Sequence, residues 1–225
     1  NYLKGVRKIC DEFGIMMICD EVMAGWYRTG KMFAYMNFDV TPDIITFAKG
    51  VNSGYIPLGG CIVKNEIAHF FDDKYLSCGL TYSGHPLACA AGVACQEFYL
   101  KNDIESHVQK VGKHLGEKLE ELKAKHKSIG DVRYIGLFSG IELVKDRETR
   151  EPLVPWGQDP KGIMGAIVKE LKSRGFFTYS HENVIIVAPP LIITEAQIDE
   201  ELEKLDDVLS IVDEKYIFAY GRNPW

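Results

Sequence analysis

The chain has 225 residues, of which 46% are hydrophobic and 26% are charged, an ordinary globular balance with enough apolar material for a core. Its formal net charge of −6 argues against nucleic acid and anionic membrane surfaces as partners, because both attract clustered lysine and arginine. No apolar run approaches the roughly 20 residues of a membrane span, and the charged N-terminal stretch lacks the features of a signal peptide.

The first third of the chain predicts a layered α/β domain. An amphipathic pattern over residues 2–13 predicts a helix that ends at Gly14. Apolar runs then predict three short strands, the first of them buried because it is apolar throughout: residues 15–19, 42–48 and 61–63. Ligand sites of such sheets lie beyond the carboxyl ends of the strands, so we expect Asp20 and Lys49 to project into one crevice.

The remaining two thirds predict a second group of elements. Small apolar residues over 87–100 predict a packed helix, and a charged amphipathic pattern over 102–126 predicts a long one. The elements expected after these are two strands around Gly136, a helix over 161–174, a strand over 184–188, and a last helix capped by Thr194 with Glu195 in its first turn. We place a domain boundary near residue 100.

The six cysteines favour reduced thiols. All lie in the first hundred residues, none forms a CxxC pair, and several fall inside apolar runs. In a chain of this length that pattern argues against a disulfide framework and against a zinc site. We therefore expect no metal centre and a reducing, cytoplasmic location.

Residues 25–31, GWYRTGK, have the spacing of a phosphate-binding P-loop. The next residue is Met32, where that loop needs a serine or threonine hydroxyl for magnesium. Trp26 and Tyr27 would also obstruct the approach of backbone amides to a phosphate. Nucleotide hydrolysis is therefore rejected.

Asp20 and Glu21 stand together at the end of the first predicted strand. Neighbouring residues of a strand point to opposite sides, so the two carboxylates make a poor acid and base pair. One interpretation is a surface turn residue beside a helix-capping carboxylate. The other gives Asp20 a buried cationic partner, such as the protonated pyridine nitrogen of a cofactor, whose charge the carboxylate would stabilise.

Lys49 and a polar cluster complete the candidate residues. A desolvated amine at the end of a strand favours Schiff-base formation with an aldehyde cofactor, whereas a solvated lysine would merely open a loop. Thr81 and Ser83, in the stretch TYSGHP, have hydroxyls that could donate to phosphate, but polar turns before helices are common. The residues by themselves leave these alternatives open.

Three ordered stretches carry a family resemblance: CDEFGIMMICDEVMAGWYRTGKMFA, TPDIITFAKGVNSGYIPLGG and GLTYSGHPLACAAG. Together they closely resemble class III pyridoxal-phosphate-dependent aminotransferases, and the likeness continues more loosely through DVRYIGLFSGIELV and VAPPLIIT. The resemblance implies an α/β fold of the fold-type I class of transferases dependent on pyridoxal 5'-phosphate (PLP). It makes residues 1–100 the C-terminal half of the large PLP-binding domain and residues 101–225 a small α+β C-terminal domain.

The resemblance also assigns roles. Lys49 matches the lysine that forms a Schiff base with PLP and then moves a proton. Asp20 matches the aspartate that pairs with the pyridine nitrogen, and Val22 matches the apolar residue packed against the ring. Thr81 matches the threonine that reaches the cofactor phosphate of the neighbouring subunit, with Tyr82 nearby, which implies a homodimer with shared active sites.

The implied reaction transfers an amino group between an amine or amino acid and a 2-oxo acid such as pyruvate. An aminomutase or a decarboxylating relative of the same fold remains an alternative. A non-catalytic fragment that dimerises is the alternative from another functional class.

The chain departs from the family pattern in three ways. The usual Gly-Phe-Gly-Arg-Thr-Gly is here GWYRTG, with Tyr27 in place of a glycine. Residues 178–190 hold no arginine, although many members bind a substrate carboxylate with one in this region. Members are about twice as long, so we expect this chain to be the C-terminal part of the enzyme. Alone it would bind PLP weakly or not at all, be inactive, and self-associate through uncovered apolar surface.

Overall fold

The computed structural model describes residues 2–218. Within that range the chain divides into two compact units, the first running to His107 and the second beginning at Val108. No helix between residues 2 and 218 combines the length and apolar character needed to cross a membrane.

The first unit is a small mixed sheet with helices. Its strands are β1 (Ile18–Asp20), β2 (Ile44–Phe47) and β3 (Gly60–Val63), and its helices are α1 (Tyr2–Phe13), α2 (Asn65–His69) and α3 (Pro86–Lys101). β1 and β2 are parallel, with Cys19 opposite Ile45, whereas β2 and β3 are antiparallel, with Ile45 opposite Ile62. The carboxyl ends of β1 and β2 therefore lie at one edge of the sheet.

A carboxylate fixes the start of this sheet. Asp43 accepts bonds of 2.6 Å from both Arg7 on α1 and Lys64 at the end of β3, and one of 2.7 Å from the Met17 amide. The Lys64 ammonium, the Met17 amide and the Arg7 guanidinium together hold the pKa of Asp43 well below its ordinary value. One side chain thus ties a helix and two strands together.

Two expectations for this unit are wrong. The first strand covers residues 18–20 rather than 15–19, and it is not buried, because Ile15, Met16 and Ile18 are exposed. β1 is an edge strand, and within residues 2–218 no further strand pairs with it. Helix α3 forms as expected and packs through one face, which carries the buried residues Ala88, Gly92 and Tyr99.

The second unit is an antiparallel sheet with helices. The strands β4 (Ile129–Ile135), β5 (Phe138–Asp146), β8 (Val184–Val187) and β7 (Ser180–His181) are hydrogen-bonded in that order, and β6 (Glu151–Pro152) pairs with β5. The helices are α4 (Ile104–Lys125), which begins in the first unit, α5 (Ile163–Ser173) and α6 (Glu195–Val212). Gly136, with a φ of +56°, turns the chain between β4 and β5, as the sequence predicted.

Local sequence signals place the helices of this unit correctly. The apolar positions of α4 are buried at helical spacing: Val108, Val111, Leu115, Leu119 and Leu122. Thr194 caps α6 by accepting from the Gln197 amide, and the Gln197 side chain accepts from the Thr194 amide in return. The predicted cap is confirmed, with a reciprocal partner that the sequence analysis did not name.

Candidate functional site

Asp20 and Lys49 follow two adjacent parallel strands. Asp20 is the last residue of β1 and lies opposite Thr46 of β2, and the next residue, Glu21, donates its amide to the Thr46 carbonyl over 2.9 Å. Lys49 comes two residues after the end of β2. Both residues therefore lie beyond the carboxyl ends of neighbouring strands, where sites on such sheets are found.

The two adjacent carboxylates have different environments. Glu21 is only 3% exposed, and its oxygens accept amide bonds of 2.9 and 3.0 Å from Ala34 and Tyr35, at the start of the 3-10 helix Ala34–Phe38. Asp20 is exposed, and its Oδ1 accepts the Val22 amide over 3.0 Å. Glu21 is thus a structural cap, as one of the two interpretations proposed, while Asp20 faces solvent with its charge available.

Lys49 has an unusual backbone conformation. It is the first residue of the one-turn 3-10 helix Lys49–Val51. Its φ of +44° lies in the left-handed region that residues with side chains avoid. Such a conformation costs on the order of 1–3 kcal/mol and is maintained only where the surroundings enforce it. The side chain is exposed, as in the alternative of a solvated lysine that opens a loop. Across residues 2–218, no carboxylate forms an ion pair with this amine.

Trp26 packs against the turn that carries Lys49. Its ring contacts Phe33 and Phe47 at centroid distances of 5.1 and 5.4 Å. A Cβ atom on Gly50 would lie 2.7 Å from the Cβ of Trp26, closer than two carbons can approach. Position 50 is therefore restricted to glycine by Trp26.

Tyr27 occupies the position where the family pattern has glycine. Its φ of +69° is one that glycine adopts readily and tyrosine does not. Its ring is buried edge-on against Tyr99 of α3, with centroids 5.5 Å apart, and burial raises the pKa of its hydroxyl. The ring fills space beside α3.

Val22 and Thr81 differ in how near they lie to Asp20 and Lys49. Val22 is half-buried and bonded to Asp20 through its amide, so it belongs to the same sheet edge. Thr81 is exposed in the turn before α3, and its neighbour Tyr82 is 76% exposed. The described part of the chain shows no hydrogen bond from the Thr81 side chain to the Asp20 and Lys49 region.

A group of polar residues near Lys49 was missed in the sequence analysis. Tyr99, Gln96 and Ser53 form hydrogen bonds around the Lys49–Val51 turn. The only available signal was that Gln96 and Tyr99 lie three apart, on one face of a helix rich in small apolar residues.

Asp20 and Lys49 bear groups that an organic cofactor could use. Between residues 2 and 218 no three His, Cys, Asp or Glu side chains are grouped to bind a metal. In the same range, Asp20 and Lys49 form no ion pair with another side chain and lie beyond the ends of adjacent strands, so a ligand with a basic nitrogen and an aldehyde could use both.

Known proteins resemble this chain over most of its length. The model of the family "Aminotransferase class-III" matches residues 1–209. The acetylornithine aminotransferase of Caldanaerobacter subterraneus is 41% identical over 209 residues, covering 93% of this chain and 48% of the relative. The taurine–pyruvate aminotransferase of Bilophila wadsworthia is 37% identical over 230 residues, covering 96% and 49%.

Solved structures show the same similarity. The taurine:2-oxoglutarate aminotransferase of Bifidobacterium kashiwanohense, in complex with PLP and glutamate, superposes with a TM-score of 0.93 at 53% identity, covering 96% of this chain and 48% of that one. An S-selective transaminase from Arthrobacter superposes with a TM-score of 0.89 at 33% identity, covering 94% and 47%. The chain spans about half the length of the proteins it matches.

Proposed function

Because the chain belongs to the class-III aminotransferases, we propose that it supplies the covalent attachment site for PLP in an enzyme that transfers amino groups. The donor would be an amine or amino acid and the acceptor a 2-oxo acid. The observation that carries the proposal is the placement of Asp20 and Lys49 beyond adjacent parallel strands, with Lys49 in a strained conformation.

Each residue of the group would have a distinct task. The Lys49 amine would bond to the cofactor aldehyde and, once displaced by substrate, accept and return a proton at Nζ. The Asp20 carboxylate would keep the pyridine nitrogen protonated, and Val22 would pack against one face of the ring. When bound, PLP supplies the electron sink that stabilises negative charge at the amine-bearing carbon.

The protein that contains this chain would be a homodimer. The exposed Thr81 is suited to reach the cofactor phosphate of a partner subunit. Residues 1–100 would form the C-terminal half of the PLP-binding domain, with residues 101–225 as the small C-terminal domain. The half-length match to relatives supports a division in which the remaining half of the fold completes the site. Free cysteines at all six positions favour the cytoplasm.

Taurine is the first amino donor to test. The Bifidobacterium structure with 53% identity is that of a taurine:2-oxoglutarate aminotransferase, and the Bilophila relative is a taurine–pyruvate aminotransferase. With the dimeric protein that includes this chain, taurine plus pyruvate should yield alanine, and taurine plus 2-oxoglutarate should yield glutamate. Equal rates with an unrelated amine would contradict a taurine preference without affecting the wider proposal.

A labelling experiment on the dimeric protein that includes this chain tests the attachment site. The protein is incubated with PLP, reduced with borohydride and digested, and the modified lysines are quantified by mass spectrometry. We expect Lys49 to be labelled in preference to other lysines. Asp20→Asn should reduce that preference, because the substitution removes the charge that would hold the cofactor nitrogen.

Asp39→Asn provides the matched control, since Asp39 is an exposed carboxylate in the same unit. It should leave the Lys49 preference unchanged. Labelling spread evenly over the lysines of the wild-type dimeric protein would contradict the assignment of Lys49. An equal effect of the two substitutions would contradict the role of Asp20.

A further inference from the structure

Helix α3 binds the turn that carries Lys49 through two hydrogen bonds. The Tyr99 hydroxyl donates to the Gly50 carbonyl over 2.8 Å, and the Gln96 side-chain amide donates to the Val51 carbonyl over 3.0 Å. Tyr99 is only 5% exposed, so water competes little for the first bond. The two carbonyls that follow Lys49 are thus both fixed by one face of one helix.

The hydrogen bond from Tyr99 to Gly50 is the last in a series whose donors and acceptors can be assigned. Tyr99 has one proton, which it gives to Gly50, so the Ser53 hydroxyl must donate to the Tyr99 oxygen across their 2.9 Å contact. The Cys95 thiol in turn donates to Ser53 over 3.3 Å. Burial raises the pKa of Tyr99, which keeps this donor protonated.

Aromatic rings restrain the same turn and its supporting helix. The Tyr27 ring holds the Tyr99 ring edge-on, with centroids 5.5 Å apart, and Trp26 occupies the space next to Gly50. Tyr27 stands where the family pattern has glycine. A glycine there could not make this ring contact with Tyr99.

We propose that Tyr99 is a positioning residue for Lys49: its bond to the Gly50 carbonyl holds Lys49 at a φ of +44°. A strained turn on an exposed edge relaxes unless its neighbours prevent it. The inference rests on the proposed function, because it gives Tyr99 a role only if Lys49 is the attachment residue.

Tyr99→Phe tests the inference, because it keeps the ring against Tyr27 and removes the donor. The first measurement is amide hydrogen exchange in the dimeric protein that includes this chain, without cofactor. The loss of one hydrogen bond should speed exchange of the Val51 and Asn52 amides about two- to tenfold. The second is the preference for Lys49 in PLP labelling, measured across a pH series, which should fall by a similar factor.

Two controls separate positioning from general destabilisation. Ser53→Ala removes the other partner of the Tyr99 hydroxyl but leaves its bond to Gly50, so both measurements should change less. Tyr134→Phe removes a half-exposed tyrosine hydroxyl from the second unit and should change neither.

The outcomes distinguish the inference from the function on which it rests. Faster exchange together with a lost Lys49 preference supports Tyr99 as a positioning residue. Unchanged exchange overturns the inference, and so does faster exchange with an unchanged Lys49 preference and pH profile, since Tyr99 would then be merely structural. If wild-type Lys49 shows no preference, the proposed function fails and the inference fails with it.

Discussion

Trp26 occupies the space that a side chain at position 50 would need, because a Cβ atom on Gly50 would lie 2.7 Å from the Cβ of Trp26. Gly50 is the residue that follows Lys49, so Trp26 restrains the turn on which the proposed site depends. Trp26 also contacts Phe33 and Phe47 and has little room to move.

Gly50→Ala should therefore destabilise the first unit. Overpacking of this kind costs about 1–3 kcal/mol, and the displaced turn should also lose the Lys49 labelling preference. Calorimetric unfolding measures the first effect. Gly5→Ala is the control: the space around Gly5 on α1 is open, and alanine favours a helix by about 0.5–1 kcal/mol. A stable Gly50→Ala chain would show that Trp26 can move aside.

Tyr27→Gly restores the residue of the family pattern and should still destabilise the chain. Loss of a buried aromatic ring costs about 3–5 kcal/mol. Relief of the strain at a φ of +69° returns about 1–3 kcal/mol, which leaves a net loss of up to about 4 kcal/mol. Urea unfolding of the Tyr27→Gly variant measures the net change in the free energy of unfolding.

Asp39→Gly isolates the backbone contribution to that balance. Asp39 has a φ of +50°, but its side chain is 90% exposed and buries almost nothing. Aspartate tolerates the left-handed region better than tyrosine does, so relief of the strain at Asp39 should stabilise the chain by only up to about 1 kcal/mol. If Tyr27→Gly were equally mild, the Tyr27 ring would contribute little to packing against Tyr99.

Features encoded by neighbouring residues could be predicted from the sequence. Gly14 ends α1, Gly136 turns the chain between β4 and β5, and Thr194 caps α6, as expected. Each depends on one residue whose backbone freedom or side-chain oxygen acts within a few positions. The common sheet edge of Asp20 and Lys49 followed instead from a general rule, that sites on α/β sheets lie beyond the carboxyl ends of the strands.

Features that depend on distant residues could not be predicted. Tyr99 bonds to Gly50 across 49 positions, and no local pattern marks either residue as the partner of the other. The exposure of Ile18 was also missed, because an apolar strand predicts burial whether or not a neighbouring layer is present. The apolar pattern shows which residues favour burial, but it does not show which part of the protein covers them.

Acid should weaken the first unit through Asp43. Its pKa is lowered in the folded chain, so the unfolded chain binds the proton more readily. The stabilisation is fully present above the ordinary aspartate pKa and is lost as the pH falls from there toward the lower folded value. Asp43→Asn should reduce stability at neutral pH by about 1.5–3 kcal/mol and flatten the acid side of the stability profile. Unfolding measured from pH 7 downward compares the two slopes, and parallel profiles would contradict the role of Asp43.

A buried histidine between two carboxylates should stabilise the second unit. His126 is 2% exposed, and its ring nitrogens contact Asp213 over 2.9 Å and Asp206 over 2.6 Å. Burial raises the pKa of Asp206, but bonds from Lys125 and His126 outweigh it and lower that pKa overall. Removal of the ring leaves Asp213 Oδ2 without its hydrogen-bond partner in the interior, while Oδ1 keeps the Ser128 amide, so His126→Ala should cost about 1–3 kcal/mol.

His114→Ala is the matched control for that substitution. His114 contacts Asp199 over 2.7 Å in the same unit, a distance similar to those of His126, but the Asp199 side chain is about half exposed. Water can replace the lost partner there, so the change should stay below about 1 kcal/mol. Urea unfolding of both variants measures the loss in free energy of unfolding for two histidine–aspartate contacts that differ in burial. Equal losses would show that burial of the carboxylate does not determine the stability these pairs contribute.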